Sequence, residues 1–439
     1  MKKVALLMLL LTAAASGVAL FLRERGNYTF DLDVKKLPLE IASVAPLHPN
    51  ADIGPQQPLG TPPVVIKAAY LTSWAAGSAK KSAYMLRLLK DTELNAVVVD
   101  LKDFTGTVSY ITNVPDVKKY NAEERRIPRI NTLIKTLHDE GVYVIGRIAV
   151  FEDQKLPVAR PELALQSKTK EGAWKDYKGL MWLDTASRDV WDYNIAIAKD
   201  ALARGIDEIN FDYIRFASDG DLKDIRYPIW NGQTPKKEVL RQFFAYLRES
   251  LPDAKLSADL FGMTTTNKDD LNIGQYLEYA LPYFDAVSPM VYPSHYGSGF
   301  IGIKNPASAP YEVVRYSLDE AVKRMKEYQS ARDEAQRRNL TAEVIGVTTP
   351  VPLPMRAKLR PWLQDFNLGA TYDAEKVQTQ IRATDDTARE CLKQSGVTET
   401  GAPICDGLIH RDAIDGRFIG GWMLWNSGST YTEEALQIE

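Results

Sequence analysis

The chain has 439 residues, enough for one large domain plus extensions. It is 45% hydrophobic and 25% charged, an ordinary globular balance; the net charge of −3, with no basic stripe between aromatics, gives no reason to expect nucleic acid as a partner. The histidines His48, His138, His295 and His410 lack metal-ligand spacing, and no phosphate loop or dinucleotide fingerprint is present, so no metal and no cofactor is expected.

The N-terminus opens with "MKK", then an uncharged run from Val4 to Leu22, then Arg23, Glu24 and Arg25. Residues 1–25 read as a signal peptide or an uncleaved signal anchor. Ala13-Ala14-Ala15 offers a cleavage site, and no cysteine follows the run, which excludes a lipoprotein anchor. This segment is the only expected link to a membrane. Residues 26–63 are rich in proline and poor in periodicity, and are expected to form an extended, poorly ordered linker.

From residue 64 to residue 439, strand-like and helix-like patterns alternate. "VVIKAAYLT" reads as a first strand and "AKKSAYMLRLLKDT" as a helix. "LNAVVVDLKD", "VYVIGRIAVFED", "IDEINFDYIRF", "AKLSADLFG" and "FDAVSPMVYP" read as the next five strands, separated by helical segments. A long helix is expected from Tyr311 to about Arg338. "AEVIGVTTP" (residues 342–350) reads as strand seven, "DAEKVQTQIRATDDTARECL" as a helix and "RFIGGWMLWN" as strand eight. Eight β/α units argue for an α/β fold, a (β/α)8 TIM barrel with loop insertions.

Barrel sites sit at the C-terminal ends of the strands, and polar and aromatic residues gather there. In "DEINFDYIRF", Glu208, Asn210 and Asp212 occupy alternate positions, so they share one face, while Ile209, Phe211 and Tyr213 take the other. Asp212 is a candidate catalytic carboxylate, and Asp259, at equivalent height on the adjoining strand, is a natural second one. Two carboxylates on adjacent strands suit glycosidic bond cleavage, one as nucleophile and the other as proton donor. Arg147 or Arg215 would serve as counter-ion to Asp212. Asp100, Asp103, Arg147, Arg215, Tyr292, His295, Trp422, Trp425 and Asn426 are candidates for substrate binding, the aromatics by stacking on sugar rings. Cys391 and Cys405 form a disulfide if the chain is exported, or remain two free thiols.

"FDYIRF", "SADLFG", "VSPMVYPSHYGSGFIGIKNPASAPYEVV", "RPWLQDF" and "GGWMLWN" together resemble a bacterial glycoside hydrolase family of exported barrel proteins, formerly a domain of unknown function. That family is distantly related to the α-amylase and α-galactosidase barrels. The resemblance runs from about Val64 to Asn426. It implies a nucleophile at Asp212 and a general acid at Asp259. One departure is Ala217, where the family's pattern has proline. The expectation is thus an exported glycoside hydrolase that acts on an envelope or extracellular polysaccharide, with a membrane-tethered, non-catalytic carbohydrate-binding barrel as the alternative. A lyase or transglycosylase on the same site is a weaker one.

Overall fold

The computed structural model describes residues 51–342, 351–394 and 418–437. Eight parallel strands close into a barrel: β1 Ile66–Leu71, β2 Ala96–Lys102, β3 Tyr143–Ala149, β4 Glu208–Asp212, β5 Lys255–Phe261, β6 Ala286–Met290, β7 in two pieces, Lys358–Leu359 and Trp362–Gln364, and β8 Gly421–Trp425. Spatial neighbours follow chain order, and β1 pairs β8 from Ile66↔Gly421 onward. The (β/α)8 barrel is therefore as the alternation implied.

The helices follow their strands: α1 Ala79–Asp91, α2 Ile130–Asp139, α3 Arg188–Leu202, α4 Lys236–Ser250, the single turn α5 Leu277–Ala280, α6 Pro310–Ala342 and α7 Ala374–Gln394. Their starts are encoded locally: Ser78 and Ser187 cap α1 and α3 by accepting hydrogen bonds from Lys81 N and Val190 N. Met85, Leu88 and Leu89 then face inward from α1 at helical spacing. Among the described residues, no helix is long and apolar enough to cross a membrane.

Two apolar clusters result. The larger lies between the strands and the helices; the smaller fills the barrel, where Ala68 and Ala96 leave room for Tyr143 and Trp362. Leu59 packs against this inner cluster. Its backbone donates to Asp207 at the entrance of β4, while Asp52 accepts from Asn131 N and Thr132 N at the start of α2. The end of the expected linker, from residue 51, is thus fastened to the barrel: Asp52 supplies orphaned helix N–H groups with an anionic acceptor.

The seventh strand is a second correction. "AEVIGVTTP" lies, apart from Ala342, outside the described residues, and the seventh barrel position is filled by the "KLRPWLQ" segment. Pro361 has no N–H for a ladder, which splits β7 in two. Loop insertions are present as expected. The loops after β3 and β4 join through a small antiparallel pair, Gln166–Ser167 with Ile225–Arg226.

Candidate active site

The alternation in β4 places its polar side chains in the barrel. Ile209 and Phe211 join the outer cluster, while Glu208, Asn210 and Asp212 are buried among interior polar groups. The strand starts, too, carry charge inside the barrel. Glu208 accepts both terminal nitrogens of Arg360, Ser257 Oγ at 2.5 Å and Tyr143 OH at 3.3 Å. Removing a charge from water is costly unless it is paired and hydrogen-bonded, and this layer satisfies both conditions.

Nearer the mouth, Arg147 joins three carboxylates. It donates to Asp100 Oδ1 at 2.6 Å and to Asp212 Oδ2, and its Nε lies 3.7 Å from Asp259 Oδ2. Asp100 also accepts from Tyr70 OH. Asn210 Nδ2 and Trp362 Nε1 each donate to Asp259 Oδ1 at 2.8 Å. Burial works against the Arg147 charge, but Asp100 and Asp212 outweigh it and hold the guanidinium firmly protonated. Burial, then the Asp212 charge, push the Asp259 carboxyl up to about 8.

Directly after Asp212, Tyr213 adopts φ 52°, a left-handed conformation that costs about 1–2 kcal/mol for a non-glycine residue. Its N–H donates to Asp212 Oδ1 at 2.5 Å, which fixes the carboxylate from the backbone side. Asp212 and Tyr213 line a cleft of about 430 Å³ with Arg215, Phe261, Met290 and His295. A larger cavity of about 700 Å³ lies along α6, against Asp319, Lys323 and Glu327. It holds solvated helix charges, whereas the smaller cleft opens over the buried carboxylates at the strand ends, where barrel chemistry resides.

Residues 68–392 match the family model described as "Putative glycosyl hydrolase domain". The chain belongs to this family. Among solved structures it is similar to the PgaB (BpsB) glycoside hydrolase domain from Bordetella bronchiseptica, with 14% identity over 86% of this chain and 100% of that one and a TM-score of 0.54. That level of identity speaks for a shared fold. A hypothetical protein from Ruminiclostridium thermocellum is 39% identical over 47% of this chain and 98% of its own, with a TM-score of 0.41. An α-galactosidase from Thermus thermophilus is 16% identical over 61% of this chain and 50% of its own, at 0.38. No curated relative matches.

In this glycosyl hydrolase barrel, Asp100, Arg147, Asp212 and Asp259 come together in one network. Arg147 is the counter-ion to Asp212. Arg215 stands apart from that pair: its guanidinium lies over the Trp182 and Phe261 rings at 4.5 and 4.8 Å and donates to Phe216 O and Ser218 Oγ. It lines the cleft. Tyr292, His295 and Trp425 form an aromatic group with Phe366 at the mouth, and Trp425 stacks on Tyr70 at 5.8 Å.

Three residues expected to contact substrate are engaged by other parts of the chain. Trp422 is fully buried in the outer cluster, because it lies one residue from the inward-facing Met423 and so takes the opposite face. Asn426 spends its side chain on the loop, donating to Asp365 O and accepting from Gly428 N. Asp103 is engaged by Arg126 at 2.6 Å. The Cys391 and Cys405 thiols and the Val4–Leu22 run lie outside what the structure describes.

Glu152, just past β3, is a functional candidate that the sequence reading did not single out. Burial pushes its carboxyl up to about 7 against the pull of Arg215, with Asp176 and Asp212 adding to the rise and Lys178 opposing it. Its only sequence signal was its place at a strand end. Trp362 gave no signal beyond its motif.

Proposed function

We propose that the protein is an exported glycoside hydrolase that cleaves an envelope or extracellular polysaccharide by a two-carboxylate retaining mechanism. The observation that carries this reading is the pairing of a cleft-lining Asp212, held by Arg147, with a neighbouring Asp259 whose proton is retained near neutral pH. Phe211 pairs with Ala258, so the next residues, Asp212 and Asp259, stand at one height on adjacent strands. Neighbouring strands are about 4.8 Å apart. That spacing supports retention, for which carboxyl groups about 5 Å apart are needed.

In the proposed reaction, an Asp212 oxygen attacks the anomeric carbon. The glycosidic C–O bond breaks, its electron pair goes to the leaving oxygen, and that oxygen takes the Asp259 proton. Asp259, now ionised, removes a proton from water, whose oxygen attacks the anomeric carbon and releases Asp212. The lipophilic Val4–Leu22 run supports export, and aromatics at the barrel mouth such as Trp425 support a sugar substrate.

One observation favours a second reading of the proton donor. Asp259 Oδ1 already accepts two N–H groups, and Asp259 is only 1% exposed, whereas the Glu152 carboxyl faces the cleft residues Arg215, Asp212 and Lys178 electrostatically. Asp212→Asn tests the core of the proposal in either case. Reducing-end release from polysaccharide is expected to fall about 10³-fold or more with the fold intact. An active Asp212→Asn enzyme would overturn the assignment.

A further inference from the structure

The barrel mouth carries a second built feature, away from the cleft. Parallel strands bring all their C-terminal ends to one mouth, so the turn after β1 and the loop after β2 share it with Asp212. In the closed strand order, β4 is the third strand along from β1 and the second along from β2. The intervening distance is about 10–15 Å at the usual strand spacing.

Trp74 lies in the turn Ser73–Ala76 after β1 and is 61% exposed. Ser73, Ala75 and Ala76 of the same turn are buried and carry its packing. The ring is nevertheless held in place. The Arg126 guanidinium stands 5.1 Å from its centre, on one face. Arg126 is itself fixed, by Asp103 Oδ2 at 2.6 Å and Glu124 Oε2 at 2.7 Å. Thr105 N donates to Asp103 Oδ1 at 3.0 Å and anchors that carboxylate.

The backbone is shaped to the same end. Thr72 Oγ1 caps the turn by accepting from Ala75 N. At Gly77 a Cβ would come within 1.9 Å of Arg126 O, so only glycine lets the turn lie this close to the Arg126–Ile127 backbone. Phe104, on the β2 loop, is a further exposed aromatic at 40%. A tryptophan pinned on one face and open on the other contributes little to the core. It suits a ligand with a flat apolar face and a polar rim.

We propose that Trp74 is a carbohydrate-binding platform, a distal subsite that stacks a sugar ring of the same glycan whose scissile bond lies over Asp212. This rests on the hydrolase reading for the identity of the glycan. The open ring face takes the C–H face of a pyranose, and the Asp103–Arg126 pair beside it presents an acceptor and donors to hydroxyl groups. Asp103, first expected to meet substrate hydroxyls directly, would do so here as one half of this pair. The separation between platform and cleft is one that a glycan chain, and not a single sugar, spans. The substrate is therefore at least an oligosaccharide segment bound along the mouth.

The test uses the full chain carrying Asp212→Asn, so that binding is read without turnover. Native electrophoresis is run through gels containing dextran, xylan, alginate or partially deacetylated poly-N-acetylglucosamine. At least one of these is expected to retard the parent. Adding Trp74→Ala is expected to weaken the apparent affinity about two- to tenfold, and Trp74→Phe to restore most of it. The platform is overturned if Trp74→Ala is retarded as strongly as the parent in every gel, or if no polysaccharide retards the parent. Reducing-end release by the unmutated enzyme from the same polysaccharides separates the two proposals. Release that Asp212→Asn abolishes, with binding indifferent to Trp74, overturns the platform and keeps the hydrolase. Binding that depends on Trp74, with no release, does the reverse.

Discussion

Asp259→Asn distinguishes a carboxyl that stores a proton from one that only balances Arg147. The substitution is nearly isosteric, and the amide oxygen can still accept from Asn210 Nδ2 and Trp362 Nε1. What it removes is a titration. Burial, then the Asp212 charge, raise the Asp259 carboxyl from 3.8 to about 8. A folded-state value above the unfolded one means that the stability contribution is intact below about pH 4 and is lost as pH rises through about 8. The separation of about four units, at 1.36 kcal/mol each, sets a ceiling of about 5 kcal/mol on that loss. The asparagine variant has no such titration. Relative to wild type it should show no gain at pH 4 and a gain of about 2 kcal/mol or more at pH 9, while hydrolysis of unactivated polysaccharide collapses. Urea denaturation at pH 4, 7 and 9 reads the difference. The reasoning is refuted if Asp259→Asn is destabilised increasingly as pH rises, because that is the behaviour of a carboxylate held ionised by Arg147.

Glu152→Gln decides between the two proton donors. With its carboxyl raised to about 7, a donating Glu152 would give kcat/KM an alkaline limb near that pH, and the variant would lose the limb; if Asp259 donates, the limb stays near 8 in Glu152→Gln. Arg360→Met leaves Glu208 buried with hydroxyl partners only, and a cost of about 3–5 kcal/mol is expected in thermal melts. Adding Glu208→Leu should recover more than half of that, since the whole pair is then replaced by apolar volume. Trp422→Phe should cost about 1–2 kcal/mol of stability, because the ring fills the outer cluster, and leave the polysaccharide KM unchanged.

Strand alternation in the sequence was enough to locate β1 to β6 and β8, and to put Glu208, Asn210 and Asp212 on the inner face. Period two carries that information because one residue of shift would bury Ile209 and Phe211 in the wrong layer. The same rule contained the correction to Trp422. Trp422 and Trp425 are three apart in one strand, so only one of them can face the barrel. The seventh strand was hidden for the opposite reason. "KLRPWLQ" breaks alternation at Arg360-Pro361, and the β-branched run at 342–350 looked like the better strand. The inward Arg360 was illegible because its reason is Glu208, 152 positions earlier. The fastening of residues 51–63 was illegible likewise, since its partners Asn131, Thr132 and Asp207 are contributed by other elements.

The two polar layers inside the barrel differ in charge balance, and that difference bears on chemistry. In the lower layer one carboxylate meets one guanidinium. In the upper layer Asp100, Asp212 and Asp259 share Arg147, the only cation among the described residues in ion-pair contact with any of them. If all three carboxylates were ionised, this buried group would carry two uncompensated negative charges. Burial opposes that state: it raises the proton affinity of both Asp100 and Asp259. Asp100 has relief from Arg147 and from Tyr70 OH. Asp259 has only neutral N–H donors on one oxygen and a guanidinium nitrogen 3.7 Å from the other, so the retained proton settles there. Arg147 therefore does more than pair with Asp212. By being one cation for three acids, it leaves Asp259 as the member of the layer that keeps a proton, directly beside the Asp212 carboxylate that Arg147 grips, and that asymmetry is the one the proposed proton donor and nucleophile require.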